Sequence, residues 1–75
     1  MTTAVLGDVP LHVEKIKRLR EQLGLTQEEA AKRAGLKGRQ AWSNVENGWL
    51  TNPTLKTVEN VARALGVKAR DILRD

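Results

Sequence analysis

Seventy-five residues allow one domain, near the lower limit at which a single core outweighs chain entropy. With no cysteine and one histidine, disulfide staples, thiolate zinc sites, cysteine nucleophiles and His/Cys metal clusters are excluded. Thirteen Lys and Arg against nine acids give a formal charge of +4, which suits an anionic partner, and 40% hydrophobic with 3% aromatic residues points to an all-α fold of short helices.

The first ten residues close on Gly7-Asp8-Val9-Pro10 and carry turn formers without a period, so residues 1–10 are expected to be a loosely docked arm and 11–75 the folded domain. Met1 to Leu6 lacks the regions of a signal peptide, and no apolar run approaches the roughly 18 residues of a membrane span. The expected location is cytoplasmic, with no membrane partner. Asp8 is placed to cap a first helix from Leu11, whose Ile16, Leu19 and Leu23 recur at i, i+3, i+7 between the pairs Glu14/Arg18 and Lys17/Glu21. Gly24 ends it.

Thr26-Gln27-Glu28-Glu29 is a capping box, and the helix it opens runs through Ala30, Ala31 and Ala34 to Gly35. At about two turns it depends on tertiary packing to persist. Beyond Leu36-Lys37-Gly38, a third helix from Arg39 to Asn47 sets Trp42 and Val45 on one face and Arg39, Gln40, Ser43 and Asn44 on the other. Between Ala30 and Val45 the charges are Lys32, Arg33, Lys37 and Arg39, with no acid among them. Gly48 to Pro53 reads as a loop. Pro53-Thr54 opens a fourth helix with the stripe Leu55, Val58, Val61, Ala62 and Leu65, closed by Gly66, and Val67 to Leu73 forms a short last helix offering Ile72 and Leu73 to the core.

Two short helices joined by a glycine-containing turn, the second polar on one side and flanked by basic residues, describe a helix-turn-helix, whose second helix enters the DNA major groove. The strings Ile16-Lys17-Arg18-Leu19-Arg20, Leu23 to Ala31 (LGLTQEEAA), Ala34-Gly35-Leu36, Val45-Glu46-Asn47-Gly48, Asn52-Pro53-Thr54-Leu55 and Ala64-Leu65-Gly66-Val67 resemble the Cro and lambda-repressor (XRE) family over about Leu11 to Leu73. The compact chain also resembles Cro-like repressors and the controller proteins of restriction–modification systems.

The resemblance implies five helices, with the second and third as the DNA-reading unit. It assigns base contacts to Arg39, Gln40, Ser43 and Asn44, where Arg pairs with guanine and Gln or Asn with adenine. Gln27, at a helix N-terminus, matches a phosphate-bonding position, and Lys37, Asn47 and Lys56 are further phosphate candidates. Arg20 and Glu46 resemble a partly buried structural ion pair. The implied function is sequence-specific binding of double-stranded DNA as a homodimer on a near-palindromic operator, for repression or regulation. Glu28-Glu29 belongs to the capping box, and no nucleophile–base or metal constellation exists, so no enzyme activity, catalytic residue, cofactor or metal is expected.

The chain departs from the family pattern in two ways. One extra residue lies between Gly35 and Glu46-Asn47-Gly48, with Lys37-Gly38 as the enlarged turn; inside the third helix it would instead rotate the base-facing set by about 100°. Trp42 and Ala30 stand where the family usually has a smaller aliphatic residue and a leucine, so the indole is expected to fill the volume that Ala30 leaves. Trp49 and Leu50 have three readings: packing of Trp49 over the fourth helix, a dimer interface, or contact with the DNA backbone. A rival function keeps the fold as a protein-interaction module, antitoxin-like, with Trp49-Leu50 binding another protein.

Overall fold

The computed structural model describes residues 11–49 and 54–73. The expected arm 1–10, including Asp8, and the loop positions Leu50 and Pro53 lie outside the described residues. Four α-helices follow in order, α1 (Val13–Gln22), α2 (Gln27–Arg33), α3 (Arg39–Glu46) and α4 (Leu55–Ala64), before a single 3-10 turn at Ala69–Ile72. The fold is all-α as expected, with the fifth helix reduced to that turn.

The first helix begins later than the sequence suggests. Its cap is His12, whose Nδ1 accepts the Lys15 N–H at 3.3 Å. The His12 N–H donates to the Ile72 carbonyl at 2.8 Å beside an isolated Leu11–Leu73 bridge, so the start of α1 is tied to the end of the domain. At α2 the capping box forms in full: Thr26 Oγ1 accepts the Glu29 N–H at 3.0 Å, and Glu29 Oε1 accepts the Thr26 N–H at 2.9 Å. The Thr26 N–H and hydroxyl hold the Glu29 carboxyl below its usual value. Thr54 Oγ1 caps α4 by accepting the Thr57 N–H.

The turn from α2 to α3 decides how the third helix enters. Gly35 has φ 72°, in the left-handed region that glycine adopts without strain, and lets the Leu36 N–H reach the Ala31 carbonyl at 2.9 Å. Leu36 packs against the core, Gly38 is extended backbone, and α3 then runs as eight regular residues. The extra residue is therefore absorbed in the turn, and the polar face of α3 keeps the register expected from its period.

Ile16, Ala30, Ala31, Ala34, Trp42, Val45, Val58, Val61, Ala62, Ala64, Leu65 and Ile72 form one core. Alanines along α2 allow it to pack against both α3 and α4. Ala30 and Trp42 are both fully enclosed in that core, the arrangement expected if the large indole offsets the small methyl. Two expected stripe residues stay outside: Leu23 is 49% exposed as the C-cap of α1, and Leu55 is 55% exposed as the first residue of α4. At helix ends, a period that points inward in mid-helix no longer has a neighbour to meet.

The volume exchange makes a measurable prediction. Ala30→Leu should overpack the core and cost about 1–3 kcal/mol, whereas combining it with Trp42→Leu should recover part of that loss in urea unfolding. Equal destabilisation by the pair and by the sum of its members would mean that the two positions do not share a volume.

Candidate nucleic-acid interface

Glu46 closes α3 and faces inward, with a side chain only 4% exposed. Its carboxylate accepts from the Nε and Nη2 of Arg20 on α1, from the indole Nε1 of Trp42 at 2.6 Å, and from Nε2 of Gln27 at 3.0 Å. A third Arg20 nitrogen, Nη1, donates to the Leu25 carbonyl at 2.8 Å, in the turn between α1 and α2. Four N–H groups fill the acceptor sites of one carboxylate. Burial pushes the Glu46 carboxyl up, but the bonds from Arg20, Trp42 and Gln27 with the Arg20 charge outweigh it and hold the group below the usual range. The Arg20 guanidinium is correspondingly raised by its bond to Glu46, against the effect of its own burial.

This cluster supplies what a short α3 cannot supply for itself. Only eight residues long, the helix has no side-chain cap at its N-terminus and ends on an acid, which the helix dipole disfavours at that end. Arg20 offsets that unfavourable charge and attaches the end of α3 to α1, while Gln27 attaches it to the start of α2.

On the face of α3 opposite Trp42 and Val45, Arg39, Gln40 and Asn47 are exposed, and Ser43 and Asn44 are half-buried. Gln40 Nε2 donates to Asn44 Oδ1 at 3.1 Å, and Asn47 Nδ2 donates to Ser43 Oγ at 3.2 Å. The structure thus brings all four expected base-contacting residues to one side of one helix, joined by Asn47. Lys37 is exposed in the turn just before α3, and Lys56 is exposed in the first turn of α4. Gln27 sits at the first position of α2 as expected, but its amide is engaged with Glu46, and Glu28 and Glu29 share its turn.

Two site features escaped the sequence reading. Trp42 and Glu46 lie one helical turn apart, so the indole-to-carboxylate bond had an i, i+4 signal that went unused. No local pattern announces the Gln27–Glu46 bond, which joins residues 19 apart. Trp49 also differs from one of its three readings: it is 71% exposed and does not fold over α4. Its N–H bonds the Asn44 carbonyl at 2.9 Å, so the backbone is fixed while the ring stands in solvent. Among the described residues, no helix is long and apolar enough to cross a membrane.

A short helix tied at its end to α1 by Arg20 and to α2 by Gln27, and polar across its open face, defines a helix-turn-helix domain with α2 and α3 as its two members. The chain belongs to the XRE-type helix-turn-helix family, whose pattern matches residues 16–72. Among solved structures it is similar to the restriction–modification controller protein C.AhdI from Aeromonas hydrophila, at 32% identity over 80% of this chain and 88% of that one, with a TM-score of 0.71. It is also similar to the hypothetical transcription factor NHTF from Neisseria, at 35% identity over 83% and 69% of the two chains, with a TM-score of 0.73. SinR, a master regulator for biofilm formation solved in complex with DNA, matches at 29% identity over 77% and 90%, with a TM-score of 0.67. No curated protein sequence matches the chain.

Removing either kind of donor or the acceptor itself should have graded effects. Glu46→Ala strands Arg20 and should cost about 3 kcal/mol; Trp42→Phe removes the indole N–H and should cost about 2 kcal/mol, both read by urea unfolding.

The lowered Glu46 carboxyl also has a pH signature. Its folded value lies below the unfolded value of about 4.3, so its stabilisation is complete above that value and is lost as pH falls through the folded one. Unfolding midpoints followed from neutral to acid pH should therefore fall less in Glu46→Gln than in the parent chain. Parallel acid limbs would assign the titration elsewhere.

Proposed function

We propose that the chain is a sequence-specific DNA-binding transcription regulator that acts as a cytoplasmic homodimer on a near-palindromic operator. The observation that carries this reading is the open face of α3, where Arg39, Gln40, Ser43 and Asn44 stand together while the opposite face is locked into the core. Inserted in the major groove, Arg39 has the fork geometry for guanine O6 and N7, and the amides have the donors and acceptors for adenine. Lys37, Asn47, Lys56 and the free N–H of Gln27 are the phosphate contacts that fix register. Similarity to SinR, solved with DNA, and to the controller protein C.AhdI supports the same reading. A C2 dimer would place its two α3 helices in half-sites about one helical turn apart. Binding rather than chemistry is the function proposed, with no cofactor and no enzyme activity.

One observation favours a second reading. The exposed ring of Trp49 is apolar surface beside the reading helix, as a protein-interaction module would present to another protein. It serves equally as part of a dimer seam or a DNA-backbone contact in the first reading.

Selection from a random duplex library at near-physiological salt should enrich a near-palindrome bound by two protomers. The Arg39→Ala/Gln40→Ala double variant should keep its fold by circular dichroism and lose that preference, with salt-sensitive nonspecific binding retained. Binding that depends steeply on salt but enriches no motif would transfer the function to the interaction-module reading.

A further inference from the structure

We propose that Asn47 is a covalent modification site, where the side-chain amide is lost through a ring closed by the Gly48 nitrogen, and that the C-terminal turn of α3 limits the rate. The consequence for DNA binding rests on the function proposed above; the chemistry does not. Asn47 and Gly48 are both exposed and form the end of the helix that carries the polar face.

The ring needs an asparagine followed by a residue whose nitrogen is unhindered and carries a hydrogen. Glycine, with no Cβ, is the least hindered successor. Asn44 and Asn60 precede the β-branched Val45 and Val61 inside helices, and Asn52 precedes Pro53, whose nitrogen has no hydrogen to lose. The step balances without an oxidant. Hydroxide takes the Gly48 N–H proton, the nitrogen lone pair bonds Asn47 Cγ, and the Cγ–Nδ2 bond breaks, with the leaving nitrogen gaining a proton to depart as ammonia. Water then opens the cyclic imide. Cleavage at Cγ leaves aspartate in the normal chain, whereas cleavage at the main-chain carbonyl leaves isoaspartate, with the chain running through the side chain.

The folded turn opposes ring closure. At Asn47 ψ is 0°, so the Gly48 nitrogen eclipses the Asn47 nitrogen, whereas the ring requires it to eclipse Cβ, a full tetrahedral step away. Rotation there breaks the backbone bonds of the turn, from the Gly48 N–H to the Val45 carbonyl at 3.3 Å and from the Trp49 N–H to the Asn44 carbonyl at 2.9 Å. The amide itself is held by the bond from Nδ2 to Ser43 Oγ at 3.2 Å. Conversion therefore waits on opening of this turn. Both products add a carboxylate next to Glu46 at the helix C-terminus, where the dipole disfavours it. Isoaspartate also lengthens the main chain just where Gly48, at φ 74°, turns it back toward the Val45 carbonyl. On DNA the new charge would stand where a neutral amide is proposed to meet phosphate.

The test incubates the full chain at neutral to mildly alkaline pH, native and in urea, and follows deamidated peptides and isoaspartate by mass spectrometry. Conversion should be confined to Asn47, rise with pH, and run at least about tenfold slower in the native chain than in urea, because three hydrogen bonds must open. Ser43→Ala, verified as folded by its thermal melt, should speed native conversion about 2- to 10-fold and leave the rate in urea unchanged. The converted chain, separated by ion exchange, should bind the duplex selected by the fresh parent about fivefold or more weakly. Equal rates in the native chain and in urea, conversion centred on another asparagine, or a native rate indifferent to Ser43→Ala would overturn the proposed site. Equal affinity of fresh and converted chain would overturn its consequence. A parent that selects no duplex would remove the DNA-reading function and the affinity effect with it, while the mass-spectrometric arm decides the chemistry by itself.

Discussion

The Glu46 carboxylate is the point from which the orientation of α3 follows. Its partners come from α1, from the first position of α2 and from α3 itself, and Arg20 extends the connection to the Leu25 carbonyl. Taking a carboxylate and a guanidinium out of water is expensive, and such a pair is weak evidence for stability on its own account. Geometry is the firmer consequence. Hydrophobic contacts of Val45 and Trp42 attach α3 to the core without prescribing its rotation, whereas three directional N–H bonds to Glu46 from Arg20 on α1 and Gln27 on α2 fix how far the helix is turned. Glu46 lies seven residues beyond Arg39, about 20° from it around the helix, so it borders the polar face of α3 and a rotation error there would change which side chains that face presents.

Trp42 belongs to both sides of this argument. Its ring fills space beside the alanine-lined α2, and its N–H completes the polar cluster, as a buried indole usually requires. A leucine or isoleucine at that position would supply neither the indole's volume nor the fourth donor. The small residue at Ala30 and the large one at Trp42 are both fully enclosed in a core otherwise made of aliphatic side chains, and the Glu46 cluster joins that core through the indole N–H. No buried side-chain nitrogen or oxygen among the described residues lacks a partner, so the arrangement is chemically closed.

Much of the fold was legible because its signals are local. The Thr26–Glu29 box, the glycine after each helix and the inward stripe of α4 each depend on residues within a few positions of one another, and each appears in the structure. Legibility failed where the deciding partner was distant or an element ended. His12 caps α1 in a segment tied down by Ile72, far along the chain, and Leu55 carries the right period but lies where α4 has just begun. That Arg39, Gln40, Ser43 and Asn44 share one side of α3 was legible, since the side a residue takes on a short helix follows from its period. The links within that face were also in the i, i+4 spacing, yet which amide would bond which neighbour depends on rotamers that a period does not specify. Gln27 was legible as a helix N-terminal residue, while its bond to Glu46 required knowing how α2 and α3 cross.

Charge placement explains why the amides matter so much here. The sequence concentrates Lys32, Arg33, Lys37 and Arg39 in the middle of the chain, but the fold divides them. Lys32 and Arg33 occupy the last turn of α2, where cations suit the helix dipole, and Arg33 reaches the Ala64 carbonyl at the end of α4. Lys37 and Arg39 remain at the entrance to α3. A chain with so few cations at the entrance to α3 would gain limited affinity for DNA from counterion release there, since that gain grows with the number of phosphates neutralised. Under the function proposed, discrimination draws on directional contacts of Gln40, Ser43 and Asn44 beside Arg39, and such contacts gain when the side chains are restrained beforehand. The carboxylate at the end of α3 and the amide links along its polar face provide that restraint on the same helix.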